Sequence, residues 1–257
     1  MMLRKLLTPK ETRDIELDDP LITQRRRDLL EKNQLLKSVY DKWYQMIIDA
    51  LPDTSGGVLE IGTGAGFLKK YFSSLIASEI FWLPGMDVIL NGQEMACANS
   101  SLRAIVMTNV LHHFPDVTRF FSETRRCLVL HGRLIMIEPW LTSWSRLIYR
   151  YLHHEPMDPD TEEWSFPPQG PLSGANEALP WIIFERDRKR FEQLFPDLDI
   201  LQITPLMPIR YLVTGGFSSR VYPPGWTASF WDGLEILAKP WHPSLGMFAY
   251  IVLEKGQ

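Results

Sequence analysis

From Val58 to Leu68 the chain runs Val-Leu-Glu-Ile-Gly-Thr-Gly-Ala-Gly-Phe-Leu, an apolar segment entering a turn with glycine at every second position. A buried strand that breaks into such a turn and continues as a helix constrains a chain to the βαβ class. Gly62, Gly64 and Gly66 let the backbone bend sharply and come close to a ligand. The pattern predicts a helix over Phe67–Leu75 whose first amides point at that ligand. Nucleotide-binding folds share glycine turns, and two residues set this one apart. The dinucleotide pattern G-x-G-x-x-G needs glycine at 67, where Phe67 stands. Glu60, at the strand end, would repel a pyrophosphate at close range but suits a ligand carrying an ammonium and a sulfonium. The competing reading is a purely structural turn, and three glycines on one junction weigh against it.

The 257 residues have room for one α/β domain with additions. Leu36, Val39, Tyr40, Trp43 and Ile47 recur at helical spacing, and Pro52 to Gly57 end that helix. The expected division is an N-terminal helical extension over 1–56 and a catalytic domain over 57–257, with insertions at about 140–180 and 205–246. Val58 to Pro139 alternates short apolar runs with helical patterns, as βαβ units do. The insertion at 140–180 is rich in aromatics, prolines and histidines. After it, Arg186–Phe195 reads as a helix, Leu198–Thr204 as a strand and Met247–Glu254 as the last strand. The stretch 205–246 reads as irregular. The predicted fold is therefore α/β: a Rossmann-like, doubly wound, mostly parallel sheet with an N-terminal helical extension and aromatic-rich insertions.

Glu60 to Gly66 resembles motif I of the class I S-adenosylmethionine-dependent methyltransferases, and the chain is similar to that family's small-molecule branch, as in its uncharacterised bacterial members. The similarity continues along Ile76–Ile80, Asp87–Leu90 and Ala104–Thr108, read as strands two to four. It extends through Asn109-Val110-Leu111-His112-His113-Phe114-Pro115-Asp116 and the turn Leu128–Gly132 before strand five, Gly132–Glu138. The resemblance implies S-adenosylmethionine as cofactor, held by Glu60, Gly62, Thr63, Gly64, Gly66 and Phe67, with Glu79 on the ribose hydroxyls, Asn91 near the adenine and Asn109 after strand four. This chain departs from the family pattern at three places. Phe81–Gly85 replaces the helix between strands two and three, Arg103 stands where an acidic residue is common, and His131 replaces a proline or glycine.

His113, or failing that His112, follows the predicted central strand at the edge where ligands sit in open α/β sheets. Either is a candidate general base. The competing reading is packing. Trp140, His153 and His154 are candidate substrate contacts in the insertion after strand five, although a solvated turn before Pro156 accounts better for the second histidine pair. The tryptophans, nine in all, form either a lid that excludes water or a small auxiliary core. Histidine pairs prompt a metal hypothesis, but adjacent histidines diverge and no metal spacing is present, so no metal is expected.

The expected activity is methyl transfer to a small-molecule acceptor, a hydroxyl on an apolar or aromatic compound. The alternative is a non-catalytic S-adenosylmethionine-binding regulatory or scaffold subunit. A net charge of −4 advertises no nucleic-acid surface. Trp144–Tyr151 mixes basic and aromatic residues as interfacial helices do, but it is too short to predict a membrane contact. The tryptophans leave room for a homodimer. Two cysteines form no disulfide framework. With no signal-peptide pattern at the start, the expected location is cytoplasmic.

Overall fold

The computed structural model describes residues 15–16, 18–152, 156–167, 170, 172–217 and 222–257. Asp19 caps α1 (Pro20–Lys32) by accepting the Leu21 N–H at 2.8 Å, with proline in the first turn. Asn33 ends α1 and starts α2 (Gln34–Asp49), its side chain accepting from the Leu36 N–H at 3.1 Å. Leu35, Leu36, Val39, Tyr40, Trp43, Tyr44 and Ile47 are buried along one side of α2, the stripe expected of an amphipathic helix.

The strands are β1 (Gly57–Glu60), β2 (Leu75–Glu79), β3 (Val88–Ile89), β4 (Leu102–Thr108), β5 (Leu128–Pro139), β6 (Leu198–Leu206) and β7 (Phe248–Lys255). They form one seven-stranded sheet in the order β3-β2-β1-β4-β5-β7-β6. Strands β1 to β5 pair in parallel, and β7 runs antiparallel to both β5 and β6. This is the mostly parallel Rossmann-like sheet that the glycine turn predicts. Alternate residues of each strand feed two cores. Leu59, Ile105, Met107, Leu134, Met136 and Ile251 pack with Phe120 and Phe121 of α3 (Val117–Cys127) and with Phe191 of α5 (Arg188–Leu194). On the other face Val58, Ala104, Val106, Ile135, Ile137 and Val252 pack with Trp43, Tyr44 and Ile47 of α2. Tyr149 of α4 (Ser143–Leu152) and Tyr211 of α6 (Arg210–Thr214) close the same face.

The helix expected over Phe67–Leu75 does not form. A single 3-10 turn, Leu68–Lys70, stands in its place. The cause is chain length: β2 already starts at Leu75, paired with Val58, and too few residues remain for a helix to cross the sheet. The face such a helix would cover is taken by α2. The stretch 205–246 is not irregular either, since it holds α6 and α7 (Ala228–Ala238). The segment read as one helix over Arg186–Phe195 is a π-helical turn, Ile182–Arg186, followed by α5.

Candidate functional site

A cavity of about 540 Å³ opens at the carboxyl ends of the central strands, the edge where open α/β sheets bind ligands. Its floor is the turn after β1. Gly62 and Gly64 take φ of +67° and +52° there, conformations that side chains disfavour. Glu60 ends β1, 3 % exposed, with Oε2 accepting from Thr63 Oγ1 at 2.9 Å. Burial pushes its carboxyl up to about 7, with the neighbouring Glu79 carboxylate adding to the rise. Glu79 ends β2 and bridges to the turn: Oε2 accepts from the Gly64 N–H at 2.9 Å and Oε1 from its neighbour Ile80 N–H at 3.0 Å. Burial raises its carboxyl as well. Asn91, after β3, and Asn109, after β4, both line the cavity. Asn109 sits at φ +59°, a left-handed conformation that asparagine tolerates.

The opposite wall comes from β5, β7, α4 and α6, through Pro139, Phe248, Tyr149 and Tyr211, with Phe217 beyond α6. Arg26 of α1 and Tyr40 of α2 cover the top. Between the two ends stands His112, 2 % exposed, on the 3-10 turn Leu111–His113. Its Nδ1 lies 2.8 Å from Oε2 of the fully buried Glu138. The other oxygen of Glu138 accepts the N–H groups of Val110 and Leu111 at 2.8 and 2.9 Å. That carboxylate therefore fixes both the turn and the ring. His113 lines the cavity beside it, with Nδ1 3.1 Å from the Gly174 carbonyl.

The structure gathers Glu60, Gly62, Thr63, Gly64, Gly66, Glu79, Asn91, Asn109, His112 and His113 around this one cavity. Two expected contacts fall elsewhere. Phe67 is not in the lining; its ring packs edge-on against Tyr44 at 5.0 Å, under the Lys37 ammonium at 4.9 Å. With no helix after the turn, its backbone swings toward α2. Trp140 is 4 % exposed in the core behind β5, its N–H bonded to the Met247 carbonyl at 2.9 Å, so it is a core residue and not a substrate contact. His153 and His154 lie outside the described residues. Trp164 is likewise core, at 2 % exposure, while Trp144 donates to the Pro208 carbonyl at 3.0 Å.

A protein-family model described as "Methyltransferase domain" matches residues 59–136. Residues 59–136, from β1 into β5, therefore carry the signature of a methyltransferase domain. Solved structures share its fold. The chain is 13 % identical to geranyl diphosphate C-methyltransferase from Streptomyces coelicolor, over 97 % of this chain and 89 % of that one, at a TM-score of 0.47. It is 12 % identical to the cyclase SpnF, over 84 % and 81 %, at 0.50. It is 8 % identical to a chain from the complex of the Haloferax volcanii Trm112 methyltransferase activator with a methyltransferase, over 95 % and 100 %, at 0.52. No curated protein matches the chain.

S-adenosylmethionine is the cofactor of this domain, and the lining fits it. Thr108 Oγ1 and Asn109 Oδ1 are buried at the cavity wall without a hydrogen-bond partner in the protein, an expensive state unless a ligand meets them. Three carboxyl side chains in the same lining, Glu60, Glu79 and Glu177, suit a cation.

Sequence reasoning did not place Arg26, Tyr40, Glu177 or Tyr211 at the cavity, and it weighed Glu138 beside the histidines only in the metal hypothesis. For Glu138 a signal existed. It ends β5 as Asn109 follows β4, and Thr108 pairs with Ile137 in the sheet, so neighbouring strands deliver both to one level. No helix among the described residues is long and apolar enough to cross a membrane.

Proposed function

We propose that the protein transfers the methyl group of S-adenosylmethionine to a hydroxyl of a small apolar or aromatic acceptor. Under this reading the turn Gly62–Gly66 holds the methionine part, with Glu60 and Asn109 beside its ammonium. Glu79 takes the ribose hydroxyls and Asn91 the adenine side. The acceptor occupies the end walled by Tyr149, Tyr211, Phe217 and Phe248, because β5 and β7 lie on the other side of β1 from β2 and β3.

The observation that carries the reading is the buried pair His112–Glu138 at the cavity wall. A sulfonium methyl is already activated, so the protein's main work is to hold the acceptor in line and dry. A hydroxyl must also lose its proton. With Nδ1–H donated to Glu138, the lone pair of the His112 ring resides on Nε2, the nitrogen that accepts the acceptor's proton. The oxygen–carbon bond forms as the carbon–sulfur bond breaks, and Glu138 stabilises the imidazolium left behind. His113 is the second candidate. Its place beside His112 favours a role in orienting the acceptor.

The test is turnover against a panel of phenols and alcohols. His112→Ala should lower kcat by roughly 10²–10⁴-fold with S-adenosylmethionine affinity held. Glu138→Gln should lower kcat more than it raises KM. Near-normal turnover in both His112→Ala and His113→Ala would eliminate the base.

A further inference from the structure

Helix α7 is built inside out. Its carboxylates face the protein. Asp232 pairs with Lys42 at 2.9 Å and with the buried Arg210, and Glu235, 7 % exposed, accepts the Arg210 N–H at 3.0 Å. Its large apolar side chains face away: Phe230, Ile236 and Leu237 are 61, 68 and 69 % exposed. Tryptophans stand in the single turns at either end, Trp226 in Gly225–Thr227 at 84 % and Trp241 in Lys239–Trp241 at 59 %. Spacings of four, seven and four put 226, 230, 237 and 241 along one side. A surface helix ordinarily carries the opposite pattern. A contiguous apolar face of this kind marks an interaction surface.

Charge indicates what covers it. From Trp226 to Trp241 the one exposed charged residue is Lys239, and no exposed carboxylate interrupts the face, although the chain as a whole carries −4. Aromatic rings with a polar edge settle at the headgroup level of a bilayer, and a lysine at the rim meets anionic headgroups. Eleven residues are too few to span a membrane, so such a helix lies in the interface plane. We propose that α7 and its flanking turns dock this methyltransferase onto an anionic lipid bilayer surface. Helix α7 packs against α6, whose Tyr211 lines the cavity. Docking therefore sets the apolar end of the cavity beside the bilayer, from which an acceptor bearing hydrocarbon can enter. That corollary rests on the proposed acceptor class, whereas the docking does not.

The test is flotation of the full chain with vesicles of phosphatidylcholine alone and of phosphatidylcholine with one quarter phosphatidylglycerol, read together with tryptophan emission. Binding to the anionic vesicles with a blue shift is expected, with binding to the neutral ones at least fivefold weaker. Leu237→Glu should weaken vesicle binding at least tenfold while melting temperature and S-adenosylmethionine affinity stay unchanged, since the side chain is exposed and does not line the cavity. Lys239→Glu should narrow the preference for anionic lipid. Absence of wild-type binding to either vesicle overturns the docking. So does a dimer in sedimentation, abolished by Leu237→Glu, in protein that ignores vesicles, because a second copy then covers the face. Loss of turnover with vesicle binding intact would count against the acceptor reading alone.

Discussion

The hydroxyl oxygen of Tyr44 stands 2.3 Å from where a β-carbon on Gly66 would lie, and it accepts the Phe67 N–H at 3.1 Å. The last glycine of the turn is thus required by α2 as much as by any ligand. Helix and turn are locked through one oxygen, which is how an N-terminal helix comes to shape the floor of the cavity.

Gly66→Ala should therefore destabilise the protein and loosen the turn, since the methyl also meets the Thr63 carbonyl oxygen at 2.9 Å. Tyr44→Phe should cost about 1–3 kcal/mol by stranding the Phe67 N–H. The double variant should lose less than the sum of the two. Thermal melts of the three proteins measure the coupling, and strict additivity would show that the hydroxyl does not contact position 66.

Glu79→Ala should weaken S-adenosylmethionine binding at least tenfold. Charge-assisted bonds to ribose hydroxyls contribute about 1.5–3 kcal/mol each, and the Gly64 N–H loses its acceptor as well. Calorimetric titration checks it. Full affinity in a folded variant would remove Glu79 from the cofactor site.

Glu60 makes stability depend on pH in an unusual direction. An unfolded glutamate loses its proton near 4.5, whereas burial holds the folded one protonated up to about 7. The fold binds that proton more tightly, so this group's penalty is absent below about 4.5, grows as pH rises, and is complete above 7. Glu60→Gln should then raise the ligand-free melting temperature at pH 8, by an amount equivalent to at most about 3 kcal/mol, and by much less at pH 5. The same variant should bind S-adenosylmethionine more weakly at pH 8. An equal effect on stability at both pH values would refute the buried-carboxyl argument.

Trp140→Ala should act on the core. The expected loss is about 3–5 kcal/mol of stability, read in denaturant melts. The milder Trp140→Phe should keep the acceptor KM of the wild type. A raised KM with unchanged stability would return Trp140 to the substrate wall.

The end of the cavity built on the glycine turn was legible because its signals are local. A strand, three glycines and Glu60 sit within a few residues of one another, and the register of β1, β2 and β4 follows from their apolar runs. What stayed hidden depends on distance along the chain. Nothing near Phe67 says that the next strand begins too soon for a helix, and nothing in the periodicity of α2 says which sheet face it covers. Trp140 and Trp164 look the same as lid residues in a sequence, because an aromatic after a strand can turn toward a cavity or behind the sheet. Glu138 had a reading only as a metal ligand beside the histidines until β4 and β5 were set side by side.

The links after β1, β2 and β3 contain no α-helix among the described residues, and α2 covers the sheet in place of the first of them. Its partners are far away in the chain: Trp43 meets the Phe248 ring at 5.0 Å, and the Tyr250 hydroxyl donates to the Met46 carbonyl at 3.2 Å. During synthesis the helix must wait for the last strand before the cover of its apolar stripe is complete. Such long loop closures slow folding. Until β7 emerges, Trp43 lacks the Phe248 ring and the Met46 carbonyl lacks the Tyr250 hydroxyl, so that side of the helix is the last to be covered.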